Sequence, residues 1–382
     1  MRLGKYGKMH DFIADNVFQN KTVLVTGHTG FIGSWLTTWL IYLNAKIVGL
    51  AQKPPTEPSL YESNLLADHI INYEEDVRNF SKVQEIIENH KPEFIFHLAA
   101  QPLVRRSYKE PMNTFSTNII GTMNILEAIR NTNISTIFIN FTSDKCYENR
   151  ETTDAYKEND KLGGHDPYSA SKACSEILTN SFRQSFFENT RNTVRISTIR
   201  AGNVIGGGDW AEDRLIPDCI KHFEKKEKIL IRNPKAIRPW QHVFEPILGM
   251  LALAENMEKH SKGFNESWNI GPNHTDITVA EVVEKIIKKL GTGKWEQFPD
   301  KNTSVHEAGI LKLDSTKIKE KLNWKQILSL DEAIEFTIDW YNEFIKKNEN
   351  MFEFSINQIQ NYLTKAGLSK TDETKEDNIT NF

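Results

Sequence analysis

Cysteine is scarce in this sequence, with three residues in a chain of 382. Cys146, Cys174 and Cys219 fit no spacing of a metal site, and an odd number leaves at least one thiol unpaired. A low count of this kind is typical of a reducing cytoplasm, where thiols stay free. We therefore expect a cytoplasmic protein without a metal centre.

Long apolar runs and an excess of one charge are also missing. No stretch approaches the roughly 18 consecutive apolar residues of a membrane helix, and residues 1–20 hold no apolar run of secretory-signal length. The formal net charge of −4 gives no sign of a nucleic-acid or membrane partner. With 39% hydrophobic and 26% charged residues, the composition is that of an ordinary globular protein. We expect its partner to be a small molecule.

The first regular part of the chain is predicted to be a strand, a glycine turn and a helix, at residues 21–26, 27–33 and 34–43. Glycines in such a turn let the backbone approach a pyrophosphate, whose charge then faces the helix N-terminus. The sequence therefore predicts a dinucleotide site whose residues at the turn are Gly27, Thr29, Gly30, Phe31, Ile32 and Gly33.

An acidic residue is missing where many NAD-binding proteins have one. It usually lies roughly 20 positions after the glycines and binds the adenine ribose. Here the second strand, residues 45–51, is followed by Gln52 and Lys53. Lys53 either attracts a 2′-phosphate or is simply a solvated lysine, so this region leaves NAD and NADP open.

Two later strands place further candidates at the cofactor. A third strand at residues 70–73 leads to Asp76 and Val77, where Asp76 either meets the adenine amino group or precedes a helix capped by Ser81. A buried strand at residues 93–98 ends in three small or apolar residues, Leu98, Ala99 and Ala100. These let a cofactor approach the backbone or, alternatively, let a helix pack on the sheet.

The strand at residues 135–141 ends in Ser143, Asp144 and Lys145. Ligands of open parallel sheets bind beyond the carboxyl ends of the strands. A hydroxyl, a carboxylate and an ammonium therefore lie where a substrate would bind, although a simple turn has the same composition.

Tyr168 and Lys172 stand four residues apart, about one helical turn, on a predicted helix. A nearby ammonium lowers the pKa of a phenol from about 10, so that it can take a proton from a substrate hydroxyl. The alternative is an exposed pair on an ordinary helix.

The remainder divides the chain. A strand at residues 195–200 is followed by a glycine-rich loop, where a second lobe is expected to begin. Capping boxes at Thr278 and Ser329 open two helices, the second with Ile334, Ile338, Tyr341 and Ile345 on one face. We predict an α/β fold in four parts: an extension at 1–20, a Rossmann domain at 21–202 with some interleaving, a smaller substrate lobe mainly at 203–347, and a helix with a polar, disordered tail at 348–382.

Taken together, the glycine turn, residues 97–100 and the Tyr168–Lys172 pair resemble the extended short-chain dehydrogenase/reductase superfamily over roughly residues 15–345. Four longer segments resemble its CDP-glucose 4,6-dehydratase family, at residues 142–149, 163–168, 200–210 and 238–243. That family also tolerates the missing acid after the second strand.

The resemblance implies a Rossmann-type doubly wound parallel sheet, a firmly held NAD and a nucleotide-sugar substrate. Tyr168 and Lys172 would both contact NAD, and Tyr168, tuned by Lys172, would take the 4-hydroxyl proton while the C4 hydride passes to NAD. Lys145 would then act as base at C5 and Asp144 as acid at the C6 hydroxyl, expelling water before the hydride returns to C6. Related dTDP-glucose dehydratases carry Asp-Glu at this position. The resemblance does not decide which of Asp144 and Lys145 is the acid and which is the base.

For the substrate's diphosphate and sugar the candidates are Asn203, Arg214 and Arg238, since arginine suits bidentate phosphate contact. A surface ion pair is the alternative for Arg214. His306 and Glu307 resemble a family segment near the nucleotide. The family also suggests a homodimer or homotetramer through paired helices, and a role in deoxysugar biosynthesis for surface polysaccharides such as the lipopolysaccharide O-antigen.

Two other functions compete with dehydration. A sugar-nucleotide 4-epimerase needs Tyr168 and Lys172 but no acid–base pair at C5 and C6, so Asp144 and Lys145 favour the dehydratase. A non-catalytic NAD-sensing protein needs none of these residues.

Overall fold

The computed structural model describes residues 16–188, 194–260, 262–273, 276–298 and 309–368. At its centre is a seven-stranded sheet in which every pairing is parallel. The strands of the protein are β1 (Thr22–Thr26), β2 (Lys46–Ala51), β3 (Ile71–Glu74), β4 (Phe94–His97), β5 (Ile137–Phe141), β6 (Arg195–Ala201), β7 (Val204–Ile205), β8 (Ile229–Ile231), β9 (Gln241–His242), β10 (Ser267–Ile270) and β11 (Trp295–Gln297). The main sheet has the order β10-β6-β5-β4-β1-β2-β3, which confirms the predicted Rossmann-type α/β fold.

The central strands are apolar on both faces because helices cover both sides of the sheet. In β1, Val23 and Val25 join one hydrophobic cluster, while Leu24 points the other way into a second. The helices are α1 (Phe31–Tyr42), α2 (Leu60–Ser63), α3 (Phe80–His90), α4 (Val104–Lys109), α5 (Pro111–Phe115), α6 (Gly121–Thr132), α7 (Pro167–Phe182), α8 (Leu215–Glu224), α9 (Phe244–Lys259), α10 (Val279–Leu290), α11 (Thr316–Leu322), α12 (Leu330–Ile345) and α13 (Met351–Lys365). Short π-helical turns, Ser116–Ile120 and Arg183–Phe187, border α6 and α7.

The observed helix ends show which of the predicted capping residues are correct. Thr278 and Ser329 form the two predicted capping boxes, and the side-chain oxygens of both accept from backbone N–H groups of the first turn. The predicted cap at Ser81 is wrong: α3 begins one residue earlier, and Asn79 accepts from the backbone N–H of Lys82. On α12, Ile345 is 41% exposed and not part of the buried face, because it is the last residue of the helix.

The second half of the chain contributes to the main sheet and also forms two short strand pairs. Strand β10 is the edge strand of the main sheet beside β6, and α9 packs against that part of the sheet. The short pairs β7–β9 and β8–β11 are separate two-stranded sheets. Helix α13 then returns to α1, where Tyr362 packs edge-on against Trp39 with ring centroids 5.7 Å apart.

Some expectations fall on residues outside the described ranges, namely the extension before residue 16, His306 and Glu307, and the tail from residue 369. In the described part of the chain, no helix is long and apolar enough to cross a membrane.

Candidate active site

A cavity of about 820 Å³ opens at the carboxyl ends of β1, β2, β4, β5 and β6. It brings together every residue predicted for the cofactor, for catalysis and for the substrate. The cofactor candidates in its wall are Gly27, Thr29, Gly30, Phe31, Ile32, Gly33, Asp76, Val77, Leu98, Ala99 and Ala100; the others are Ser143, Asp144, Lys145, Tyr168, Lys172, Asn203, Arg214 and Arg238.

The glycine turn is built for close backbone contacts. A Cβ at Gly27 would lie 2.6 Å from the Ala99 nitrogen, and one at Gly33 would lie 2.1 Å from the Gly27 oxygen. Gly30 is the N-cap of α1 and supplies no side-chain cap, and no acidic residue lies in the first turn of the helix. The N-terminus of α1 therefore presents its N–H groups and positive dipole end at the cavity, as a pyrophosphate requires.

At the end of β2, Gln52 contacts the candidate Asp76 directly. Gln52 Nε2 donates to Asp76 Oδ2 at 2.8 Å, and Arg78 binds the same carboxylate. Burial opposes ionisation of Asp76, but the contacts with Arg78 and Gln52 outweigh it and hold the pKa of the carboxyl below its usual range. Lys53 is 80% exposed and 3.9 Å from Glu74.

Tyr168 and Lys172 both line the cavity from α7, whose N-cap Asp166 accepts from the backbone N–H of Ser169 at 2.9 Å. Burial raises the pKa of Tyr168 to about 12, and a contact with the Ser143 hydroxyl partly offsets the rise. This rise is opposite to the lowering expected from Lys172, because burial outweighs the favourable contacts of the phenol. Lys172 Nζ donates to the Phe141 carbonyl at 3.2 Å. Burial also lowers the pKa of Lys172 to about 8, so the cost of desolvation dominates both groups.

Asp144 and Lys145 meet in a short 3₁₀ turn after β5. Lys145 Nζ lies 3.6 Å from Asp144 Oδ1, which also accepts from the Ser143 hydroxyl at 3.1 Å. The Asp144 side chain is 1% exposed, and its Oδ2 has no hydrogen-bond partner within the described ranges. Such an orphaned buried oxygen in a cavity wall is available to a ligand.

The substrate candidates line the cavity from the second half of the chain. Arg214 pairs with Asp209 at 3.0 Å, and the two side chains are 30% and 5% exposed. Arg238 is 9% exposed and donates to two backbone carbonyls at 2.9 and 3.0 Å. Asn203 Oδ1 is buried and, among the residues described, lacks a hydrogen-bond partner.

Sequence reasoning missed a set of charged residues across the cavity mouth. Arg106 pairs with Glu212 at 2.9 Å, and Asp213 lies between Arg105, at 4.0 Å, and Arg232, to which it is ion-paired. Arg105 and Arg106 lie a few residues after the carboxyl end of β4. That position, at the ligand-binding edge of the sheet, was the signal that could have identified them.

A parallel sheet with a glycine cradle, and a Tyr-Lys pair on the helix beside it, define the extended short-chain dehydrogenase/reductase class. The family model for GDP-mannose 4,6 dehydratase matches residues 24–337, and the chain belongs to that family. The chain is 43% identical to the CDP-glucose 4,6-dehydratase of Salmonella typhimurium over 357 residues, which is 92% of this chain and 99% of that protein.

Solved structures share the fold. A UDP-glucose 4-epimerase from Thermotoga maritima, solved with UDP-glucose, has a TM-score of 0.74 at 24% identity and covers 85% of this chain and 99% of its own. A dTDP-glucose 4,6-dehydratase from Bacillus anthracis in complex with NAD has a TM-score of 0.70 at 22% identity, covering 88% and 99%.

Proposed function

We propose that this protein removes water from CDP-D-glucose and releases CDP-4-dehydro-6-deoxy-D-glucose. The observation that carries the proposal is one cavity holding both a Tyr168–Lys172 pair and an Asp144–Lys145 pair 3.6 Å apart. The first pair suits oxidation at C4, and the second suits elimination across C5 and C6. The 43% identity to a CDP-glucose 4,6-dehydratase supports the nucleotide.

The residues present fit NAD. Side chains at Gly27 and Gly33 would collide with backbone, so the turn keeps a bare surface at the N-terminus of α1. Thr29 Oγ1 donates to the Gln52 carbonyl at 2.9 Å and ties the turn to the end of β2. When bound, the cofactor supplies a hydride acceptor for C4, a hydride donor for C6 and positive charge near the phenol.

For the first step, Tyr168 takes the proton of the substrate's 4-hydroxyl. Its pKa of about 12 is too high for an effective base at neutral pH, so the site has to stabilise the phenolate. The Ser143 hydroxyl already acts in that direction, and the Lys172 ammonium lies one helical turn away. The ketone left at C4 makes the C5 proton acidic.

For the second step, Lys145 takes the C5 proton and Asp144 gives a proton to the C6 hydroxyl. The C6–O bond breaks with its electron pair on oxygen, water leaves, and the C5 electrons form the double bond. The step starts from a protonated Asp144 and a neutral Lys145 and leaves a carboxylate and an ammonium, and Lys145 then returns a proton to C5. The Oδ2 atom of Asp144 supports this role, because it is buried and has no hydrogen-bond partner among the described residues.

Substrate binding falls to the cavity wall from the second half of the chain. Arg214 and Arg238 bring guanidinium groups to the diphosphate, and Asn203 offers its amide to the sugar or a phosphate. Asp209 holds Arg214 in place at 3.0 Å, which reduces the entropy lost when the diphosphate binds.

The test is incubation with CDP-glucose and NAD in D₂O, followed by product mass and NMR. A dehydratase gives a product one water lighter, with one solvent deuterium fixed at C5. An unchanged mass with inverted C4 would establish the 4-epimerase instead. Tight NAD binding without turnover of any sugar nucleotide would establish the NAD-sensing protein.

We also propose a homo-oligomer, a dimer or tetramer, built on the outer face of α5, α6 and α7. Exposed apolar side chains lie on these helices and on the π-helical turns that border α6 and α7, namely Met112, Ile120, Met123, Ile177 and Phe186, of which Met112 is 80% exposed. Exposed apolar side chains clustered on packed helices are typical of a protein interface. Light scattering on the parent and on an Ile177→Glu variant tests this, since an interface at this face predicts a smaller particle for the variant.

Location and pathway follow from the same proposal. The three cysteines are unpaired, with Cys146 and Cys219 buried, which suits a reducing cytoplasm. A 4-keto-6-deoxy sugar nucleotide suits deoxysugar biosynthesis for surface polysaccharides such as the O-antigen.

A further inference from the structure

Behind the active site lies an ion pair that the proposed chemistry does not use. Arg200 NH2 donates to Glu176 Oε2 at 2.6 Å, and the two side chains are 3% and 1% exposed. Glu176 lies on α7 one turn beyond Lys172, and Arg200 lies on β6. A buried pair of this kind is a weak source of stability, because desolvation consumes most of the Coulombic gain.

Glu176 holds the start of the segment that carries the elimination residues. Thr142 Oγ1 donates to Glu176 Oε1 at 2.5 Å, directly before Ser143. The other carboxylate oxygen accepts from Thr198 on β6 at 2.9 Å and from Ser267 on β10 at 3.1 Å. The carboxylate therefore joins the catalytic helix, two sheet strands and the end of β5.

Arg200 holds the other end of the same segment. Its NH1 donates to the Tyr147 hydroxyl at 2.8 Å, and its guanidinium lies over the Tyr147 ring, 5.0 Å from the centroid. The Tyr147 hydroxyl in turn donates to Asn269 Oδ1 on β10 at 2.7 Å. Tyr147 is 1% exposed, so both ends of residues 142–147 are fixed in the interior.

We propose that Glu176 and Arg200 are positioning residues that hold Asp144 and Lys145 at C6 and C5 of the substrate. The proposal rests on the proposed dehydration. Glu176 binds Thr142, before the catalytic residues, and Arg200 binds Tyr147, after them. Asp144 and Lys145 lie between these two contacts and line the cavity. Tyr168 and Lys172 take their positions from α7 itself, so the contacts through Thr142 and Tyr147 serve elimination, while the charge of Glu176 also acts on Lys172.

The two contacts are separable by variants that leave the ion pair in place. Thr142→Val removes the donor to Glu176, and Tyr147→Phe removes the acceptor for Arg200. Matched controls are Thr337→Val, a buried threonine on α12 that donates to Ala333, and Tyr362→Phe, a buried tyrosine that donates to Glu245. Neither control residue lines the cavity.

The experiment is a single turnover of holoenzyme with CDP-glucose, following the absorbance of NADH. C4 oxidation makes the signal rise, and hydride return after elimination makes it fall. For Thr142→Val and Tyr147→Phe we expect a rise near the parent rate and a fall slowed roughly 100-fold, as misplacement by about 1 Å produces. KM should change less than about twofold, since the substrate contacts stay intact.

Glu176→Gln adds a readout that a merely structural contact would not move. Burial lowers the pKa of Lys172, and Glu176 opposes this, so loss of its charge should shift the alkaline limb of kcat to lower pH. Thr142→Val should leave that limb in place while slowing the fall. The proposal is overturned if the two phases slow equally in Thr142→Val and Tyr147→Phe, or if neither slows relative to the controls. A parent protein that does not dehydrate CDP-glucose overturns the proposed function instead.

Discussion

Tyr168 and Lys172 sit one turn apart on α7, and burial moves their pKa values apart, to about 12 and about 8. The same cause has opposite signs because the phenol is charged when deprotonated and the amine is charged when protonated. The site therefore holds both groups in their neutral forms more strongly than water does.

Replacement of Tyr168 by phenylalanine should remove the proton acceptor and little else. We expect kcat to fall by about 10³-fold, within the usual contribution of a general base, with NAD affinity close to that of the parent. Turnover of CDP-glucose and calorimetric titration with NAD measure the two effects. Tyr42→Phe, on α1 outside the cavity wall, is the control. Turnover by the Tyr168 variant at the parent rate would contradict the proposed mechanism.

The rate should depend on the protonation of Lys172. The groups that face its ammonium are Glu176 on the same helix, Cys146 after β5 and His97 on β4. With a pKa of about 8, the ammonium is present below that pH and is lost above it, so kcat should fall as pH rises through about 8. Lys172→Arg should move this fall to higher pH, because arginine stays charged. A pH profile of kcat measures both; an unmoved limb in the variant would assign it to another group.

Isotope exchange separates the roles of Asp144 and Lys145. If Lys145 is the base, substrate incubated with Lys145→Gln should gain no solvent deuterium at C5. Substrate incubated with Asp144→Asn should exchange its C5 hydrogen but lose almost no water. NMR of recovered sugar nucleotide in D₂O distinguishes the two. Exchange retained in Lys145→Gln and lost in Asp144→Asn would reverse the assignment.

Two glycines of the turn should respond differently to alanine. Gly33→Ala places a Cβ 2.1 Å from the Gly27 oxygen, so it should lower both thermal stability and NAD affinity. Gly30→Ala meets only that oxygen, at 3.3 Å, and Gly30 has a φ of −80°, which alanine adopts readily. Its Tm should stay close to that of the parent while NAD binding weakens. Full NAD affinity in Gly30→Ala would count against pyrophosphate binding at this turn.

Glu245 should make stability depend on pH. Burial raises the pKa of this carboxyl to about 7, against the hydrogen bonds from Leu328, Ile327 and Tyr362. Since its unfolded pKa is lower, the folded protein binds the extra proton between about 4.5 and 7, and stability should fall across this window as pH rises, by up to about 3 kcal/mol. Glu245→Gln should flatten that part of the curve in urea unfolding at several pH values. A parental slope in the variant would assign the effect to other groups.

The sequence was most informative where local patterns act alone. The capping boxes at Thr278 and Ser329 follow from neighbouring residues, and the structure confirms them. Asn79, two residues before the predicted Ser81, caps the helix because its side chain also accepts from a backbone N–H of the first turn.

The sequence did not predict contacts between residues that are far apart in the chain. The contact of Thr142 with Glu176 spans 34 positions, and the partner of Lys172 is a backbone carbonyl on another element. The net direction of the Tyr168 pKa shift depended on burial, which no local pattern reports. The three-dimensional arrangement of charged residues at the cavity mouth was missed for the same reason.

Strand β10, at the edge of the main sheet, has to be synthesised before the active site can be complete. Ser267 and Asn269 on that strand complete the contacts of Glu176 and Tyr147, yet they follow the catalytic helix by more than 80 positions. When the nascent chain has emerged from the ribosome as far as α7, it already contains Tyr168 and Lys172. It still lacks β10, the strand that completes the contacts around them. Catalytic competence therefore arrives late in translation, after residue 270 has emerged.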